Sequence, residues 1–191
     1  MVWAQHISPT FIKIIATFPY LNTIIKPIMK NPLLYILALP AYFMLAACPY
    51  ESAVPIDPPL IKINSAFLGT WQDPIDTTKD YQVSEQSMFT YKIIEKIKDA
   101  TESKQYQAYI SKVDETTFLN LWEDIPGEDR PTYLLYKLEI RNANSVMLIE
   151  VTENIDEQFS SSEQLKSFIR SNMSNSFFFS KTETELIRVG K

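Results

Sequence analysis

Between residues 88 and 153 the chain repeatedly alternates apolar and polar side chains, the pattern of a half-buried β-strand. The clearest example is TYLLYKLEI, residues 132–140, in which Leu134, Tyr136 and Leu138 share one face. Similar alternation occurs in SMFTYKIIEKI, YQAYISKV, TFLNLWE and SVMLIEVTE, and turn-forming sequences separate these segments. Short strands in this order pair most simply as hairpins, so the pattern predicts an antiparallel sheet.

Two of these segments depart from a simple two-sided strand. In SMFTYKIIEKI, Tyr91 and Ile93 lie on the predicted apolar face, but Glu95 falls in phase with them. In TFLNLWE, the Phe and Trp side chains lie on one face and both leucines lie on the other. We interpret Glu95 as an exception to the apolar pattern of its strand.

One helix is predicted between the last two strands. Ser160 followed by Glu163 has the spacing of a capping box. Leu165, Phe168 and Ile169 then follow the helical i, i+3, i+4 spacing, which predicts a helix over residues 160–173. The segment SFFFSKTETELIRV returns to a strand pattern. We therefore expect a mainly β domain with about seven strands and one C-terminal helix before the last strand.

The first 48 residues differ from the rest of the chain in charge. They contain three lysines and no acidic residue, whereas the remainder has 15 basic and 23 acidic residues, a net charge of −8. The acidic remainder argues against nucleic acid as a partner, because phosphate binding requires a basic face. An acid-free basic head that leads into an apolar run, residues 32–47, is typical of a targeting segment.

This apolar run is shorter than the roughly 20 residues that a membrane-spanning helix requires, and it contains Pro40. Such a segment suits a leader that is removed, and we assign residues 1–47 to it. Met29 followed by Lys30 would begin a leader of ordinary length, so we expect translation to start at Met29. Residues 1–28 would then lie upstream of the coding region.

The sequence Leu45-Ala46-Ala47-Cys48 resembles the lipobox of bacterial lipoproteins. In that family the cysteine receives a diacylglycerol, and a signal peptidase cuts before it. The resemblance implies cleavage between Ala47 and Cys48 and lipid attachment at Cys48, which would anchor the protein in a membrane of the bacterial envelope. No acidic residue follows the cysteine directly, which favours the outer membrane. The alternative is a buried free cysteine in a membrane-spanning helix.

Residues 48–64 contain four prolines after the cysteine. Proline fixes φ and lacks an N–H donor, so this segment predicts an extended tether between the lipid anchor and the folded domain. We place the β-rich domain at residues 65–191.

Gly69-x-Trp71, at the start of that domain, resembles the G-x-W motif of lipocalins. In that family the tryptophan closes one end of a β-barrel, an arginine near the last strand packs over its ring, and a helix precedes a final strand. The resemblance implies a small antiparallel β-barrel or curved sheet in which Trp71 and Arg188 form the barrel-closing pair. The alternative is that Trp71 is an ordinary core residue and Gly69 a bulge in the strand.

The residues available for catalysis are few. The single histidine is His6, in the leader, and the single cysteine is Cys48, so the processed chain would lack Ser–His and Cys–His pairs. We predict no enzyme activity, no metal and no cofactor. We interpret the acidic pairs 123–124 and 128–129 as a solvated loop rather than as catalytic carboxylates. The clustered tyrosines 106, 109, 133 and 136 and the phenylalanines 177–179 are interpreted mainly as core, although the phenylalanines could line a pocket.

Two functions fit this reading of the sequence. In one, the membrane-anchored domain binds a small apolar ligand in a preformed cavity. In the alternative, it is a structural or interaction component of an envelope assembly, with a filled core and an exposed apolar patch for an envelope protein.

Overall fold

The computed structural model describes residues 50–127, 131–152 and 155–190. The predicted leader with Met29, the cleavage site at Ala47 and the lipid-attachment residue Cys48 lie outside this range. Within the described residues there are nine strands, a 3-10 helix Ser65–Phe67 and a helix α1, Ser162–Asn172. The strands are β1 Glu51–Ser52, β2 Gly69–Gln72, β3 Lys79–Glu85, β4 Tyr91–Ile97, β5 Ser103–Val113, β6 Thr116–Glu123, β7 Tyr133–Asn142, β8 Ser145–Val151 and β9 Phe179–Val189.

Strands β2 to β9 form a closed antiparallel barrel. Each strand pairs with the next one along the chain, and β9 pairs back onto β2 through Trp71 opposite Arg188. The helix α1 lies between β8 and β9 in the chain. The predicted class, a mainly β, lipocalin-like barrel with one helix before the last strand, is confirmed.

The predicted number of about seven strands is too low, because β1 and β3 were not expected. Strand β3 pairs with both β2 and β4. Its inward face begins with Lys79 and continues with Tyr81 and Val83. Because the first residue of this face is charged, the segment lacks a clear apolar–polar alternation. Strand β1 has only two residues, opposite Tyr133 and Leu134 of β7, and no periodicity can reveal so short a strand.

Residues 50–64, expected to form an extended tether, pack against the barrel instead. Ile56 is fully buried, and its backbone N–H donates to Asn120 Oδ1 at 2.9 Å. Tyr109 Oη donates to the carbonyl oxygen of Asp57 at 2.6 Å. The prolines leave this segment irregular, but apolar residues between them bury surface against the barrel. The folded part of the chain therefore extends N-terminally at least to Tyr50, and we call residues 50–64 the strap.

The N-cap of α1 is Ser161, one residue after the predicted cap, Ser160. Ser161 Oγ accepts from the N–H of Gln164 at 3.3 Å, and Gln164 Oε1 accepts from the N–H of Ser160 at 3.2 Å. Gln164 thus has the role that the spacing assigned to Glu163. The predicted apolar face is correct, because Leu165 and Ile169 are both buried.

Successive side chains of a strand point to opposite sides, and several barrel strands bury both sides. Outside the barrel wall, Phe118, Leu135 and Phe178 pack with the strap and with α1 in one cluster, the outer core. Inside the barrel, a second cluster includes Trp71 and Tyr91. The barrel wall therefore separates two cores, and the candidate site lies in the inner one.

Candidate functional site

The barrel encloses a cavity of about 360 Å³. Its wall is mostly apolar, and most strands contribute alternate, inward-pointing residues to it. The lining residues are Phe67, Trp71, Lys79, Tyr81, Val83, Tyr91, Ile93, Glu95, Tyr106, Ile110, Leu119, Leu121, Leu134, Tyr136, Leu138, Val146, Leu148, Thr184 and Leu186.

One end of the cavity is closed by the residues that precede β2. Phe67, in the 3-10 helix, packs edge-to-face on the ring of Tyr91 with 6.2 Å between centroids. Trp71 Nε1 donates to the carbonyl oxygen of Phe67 at 2.9 Å, and Tyr91 Oη accepts from the N–H of Asn64 at 2.6 Å. Trp71 and Tyr91 are both buried, so this end is sealed from solvent.

The structure brings together the residue pair that the lipocalin resemblance implies. The guanidinium carbon of Arg188 lies 4.5 Å from the centroid of the Trp71 ring, within cation–π range. Arg188 Nη1 donates to the carbonyl oxygen of Leu68 at 2.6 Å, and Nη2 donates to that of Ala66. Arg188 thereby ties the last strand to the 3-10 helix that covers the closed end.

Gly69 allows this approach of Arg188. Its φ is +130°, a backbone conformation that residues other than glycine rarely adopt. A Cβ atom at this position would lie 2.6 Å from Arg188 Nη1. The glycine of the G-x-W motif is therefore required both by its backbone conformation and by the guanidinium beside it.

The other end of the cavity, which we call the mouth, is polar. Lys79 Nζ lies 3.3 Å from Glu95 Oε1, and Tyr106 Oη donates to Glu95 Oε2 at 2.9 Å. The Glu95 side chain is only 9% exposed, whereas that of Lys79 is 38% exposed and reaches solvent. A carboxylate thus lies inside the mouth, with its ammonium partner towards the outside.

Two further tyrosines, Tyr81 and Tyr136, also line the cavity. Tyr136 Oη donates to Glu150 Oε1 at 3.3 Å. Burial raises the pKa of Tyr81, Tyr106 and Tyr136, and a nearby glutamate raises each pKa further. The tyrosines are therefore neutral hydrogen-bond donors at physiological pH.

The remaining aromatic candidates divide between the two sides of the wall. Tyr106 and Tyr136 line the cavity, whereas Tyr109 and Tyr133 each pack edge-to-face on Trp122, outside the lining. Of the three consecutive phenylalanines, Phe178 is buried in the outer core and none lines the cavity. Phe177 and Phe179 instead line a second pocket, together with Thr152 and residues 180–182, so the pocket role considered for the phenylalanines holds there. Their interpretation as core residues is correct for Phe178.

In the described part of the acidic loop, the two carboxylates contact different partners. Glu123 lies 3.7 Å from Lys104 Nζ, and Asp124 Oδ2 accepts from Gln105 Nε2 at 2.5 Å. The second acidic pair, residues 128–129, lies outside the described residues. Across the ranges that the structure describes, no group of three or more His, Cys, Asp or Glu side chains could bind a metal ion together.

Two residues of the mouth, Lys79 and Glu95, were not predicted from the sequence. Lys79 belongs to β3, a strand that the alternation did not reveal. Glu95 did leave a signal, because it falls in phase with the apolar face of β4. A carboxylate on a buried strand face needs partners, and here Lys79 and Tyr106 supply them.

Comparison of the chain with protein-family models, with curated proteins and with solved structures found no match. In the described part of the chain we find no helix both long and apolar enough to cross a membrane.

Proposed function

We propose that the barrel domain is a non-enzymatic binding module that holds one small, mainly apolar ligand. The observation that carries this proposal is the cavity of about 360 Å³, which is sealed at the Trp71 end and polar at the mouth. An eight-stranded barrel is just wide enough for its side chains to fill it or for it to hold one small ligand. Ligand pockets generally measure about 300–1,000 Å³, so this interior is large enough to be occupied.

The distribution of lining groups supports one orientation of the ligand. Leu119, Leu148 and Leu186 contribute apolar surface along the wall, where an apolar ligand body gains from leaving water. The polar end of the ligand would lie at the mouth, near Lys79 and Glu95, where it keeps hydrogen-bond partners.

We further propose that Cys48 anchors this domain to a membrane of the bacterial envelope. The lipobox-like sequence supports lipid attachment, and only Pro49 separates Cys48 from Tyr50, which is buried in the outer core. Glu51 of β1 pairs with Leu134, a residue of the barrel wall that lines the cavity. Because only two residues separate Cys48 from Glu51, the anchor would hold the barrel close to the bilayer. Replacement Cys48→Ser should move the protein from the detergent phase to the aqueous phase in a phase-separation assay. An unchanged distribution would contradict the anchor.

A second candidate is the role in an envelope assembly. Ile75 and Ile125 are exposed on loops that connect barrel strands, and such side chains can contact a protein partner. The assembly role does not require an empty cavity. A test of ligand binding therefore distinguishes it from the binding module.

The test is titration of the full chain, reconstituted in phospholipid nanodiscs, with octan-1-ol. Replacing Trp3 and Trp122 by Phe leaves Trp71, in the cavity wall, as the single tryptophan. We expect a saturable change in Trp71 fluorescence, with empty nanodiscs as the blank. Leu148→Phe, which fills the cavity, should abolish it.

Ile140→Phe is the matched control, because Ile140 is exposed outside the cavity and its replacement should leave binding unchanged. A Trp71 signal that octan-1-ol never alters would contradict the binding module and favour the assembly role.

A further inference from the structure

The charges at the mouth indicate which chemical class of ligand the cavity takes, an inference that rests on the proposed binding function. Lys79 and Glu95 are the charged side chains that line the cavity in the part of the chain that the structure describes. They form an ion pair in which the ammonium of Lys79 is the more exposed group. The carboxylate of Glu95 is therefore the charge that a ligand meets inside the mouth.

The hydrogen bonds of Glu95 leave it able to bind a further donor. A carboxylate offers about four acceptor positions on its two oxygens. Lys79 Nζ lies against Oε1, and Tyr106 Oη donates to Oε2. Each oxygen therefore retains one position beyond these two contacts, next to the cavity that Glu95 lines.

The tyrosines that line the cavity also favour a cationic ligand. Tyr81, Tyr106 and Tyr136 all line the cavity, and the face of an aromatic ring attracts a cation. In contrast, a ligand carboxylate at this position would face Glu95 at close range and be repelled.

We propose that the ligand is an amphiphilic amine, with its apolar body along the leucine-lined wall and its ammonium group bound to Glu95 among these tyrosines. A fatty-acid-like ligand, whose carboxylate would bind Lys79, is the competing class. The two classes differ in which of the paired residues, Glu95 or Lys79, recognises the ligand.

The experiment compares octylamine, octan-1-ol and octanoate on the same single-tryptophan full chain in nanodiscs at pH 7. These probes share one alkyl body and differ only in the end group. We expect octylamine to bind about tenfold more tightly than octan-1-ol, the effect of one charge-assisted hydrogen bond, and octanoate to bind most weakly.

Two variants assign the preference to its residue. Glu95→Gln keeps the size of the side chain and removes its charge, and it should lower octylamine affinity about tenfold while octan-1-ol affinity stays within about twofold. Glu85→Gln is the matched control, because Glu85 is an exposed carboxylate on β3 outside the cavity. Lys79→Gln removes the competitor for Glu95 and should raise octylamine affinity.

The outcomes separate this inference from the proposed function. If octan-1-ol binds but octanoate binds at least as tightly as octylamine, the amine preference is overturned and the binding module stands. Loss of octanoate affinity in Lys79→Gln would assign recognition to the lysine instead. If none of the probes changes Trp71 fluorescence, both the binding function and its amine preference fail.

Discussion

The two sides of the barrel wall are packed differently, although the same strands build both. On the outer side, Phe118, Leu135 and Phe178 are almost completely buried beneath the strap and α1. On the inner side, the neighbouring residues Leu119 and Leu134 border a cavity. The comparison indicates that the outer core supplies most of the packing that stabilises the fold, which leaves the interior available for a ligand.

The buried polar groups of the two sides also differ in what they contact. Asn120, in the outer core, is fully buried, and its Nδ2 donates to Ser111 Oγ at 2.8 Å while its Oδ1 accepts from the N–H of Ile56. These contacts are internal and hold the strap. Inside the barrel, Glu95 faces the cavity, so its remaining hydrogen-bonding positions are open to a ligand. Polar groups therefore position the strap on the outer side and form the candidate site on the inner side.

The largest expected effect compares two adjacent leucines of β7. Leu135→Ala should lower the free energy of unfolding by about 3 kcal/mol, because it leaves a void in a packed core. Leu134→Ala should cost only about 1 kcal/mol, less than in a packed core, because Leu134 already borders empty space. Urea denaturation of both variants measures the difference. Equal losses would show that the two sides are packed alike.

The next effect concerns the strap. Asn120→Ala should cost about 2 kcal/mol, because the buried N–H of Ile56 loses its acceptor. Hydrogen exchange should accelerate at Ile56 and nearby strap residues. Ser160→Ala, which removes an exposed hydroxyl next to the N-cap of α1, is the control and should leave strap exchange unchanged. Unchanged protection of Ile56 in Asn120→Ala would mean that Asn120 does not hold the strap.

A smaller effect is expected where the inner side is tightly packed, at its closed end. Gly69→Ala places a methyl group against the end of the Arg188 side chain and should cost about 1 kcal/mol through strain. Gly127→Ala is the matched control, because Gly127 also has positive φ, +88°, but no atom of the described residues lies within 4 Å of the added methyl. Thermal unfolding and Trp71 fluorescence report the change. If the two variants behave alike, the contact with Arg188 contributes nothing beyond backbone strain.

The smallest effect is a dependence on alkaline pH. Burial and Glu150 raise the pKa of Tyr136 above its ordinary value of about 10. A raised pKa means that the folded state holds the proton more firmly, so the stabilisation is complete below pH 10 and is lost as pH rises through the folded pKa. Unfolding free energies above pH 10 should therefore fall less steeply in Tyr136→Phe. A slope identical to that of the parent would contradict the shifted pKa.

The sequence by itself determined the local pattern of this protein. Alternating side chains in TYLLYKLEI and TFLNLWE identified strands and which residues share a face, because period two follows from strand geometry alone. The spacing of Leu165 and Ile169 identified α1 for the corresponding reason. The resemblance of Gly69-x-Trp71 to the lipocalin motif also pointed to the contact between Trp71 and Arg188, which the structure shows.

Only the tertiary structure decided which face is inside the barrel and what lies there. Period two cannot distinguish a cavity wall from an outer core, since both faces of β6 are apolar. The strand β3 and the strap depend on partners distant in sequence, whose hydrogen bonds and buried surface outweigh weak local signals. The sequence indicated only that Glu95 departs from the apolar pattern of its strand. Its partner Lys79 lies on a neighbouring strand, and the two charged groups come within 3.3 Å only when the sheet forms.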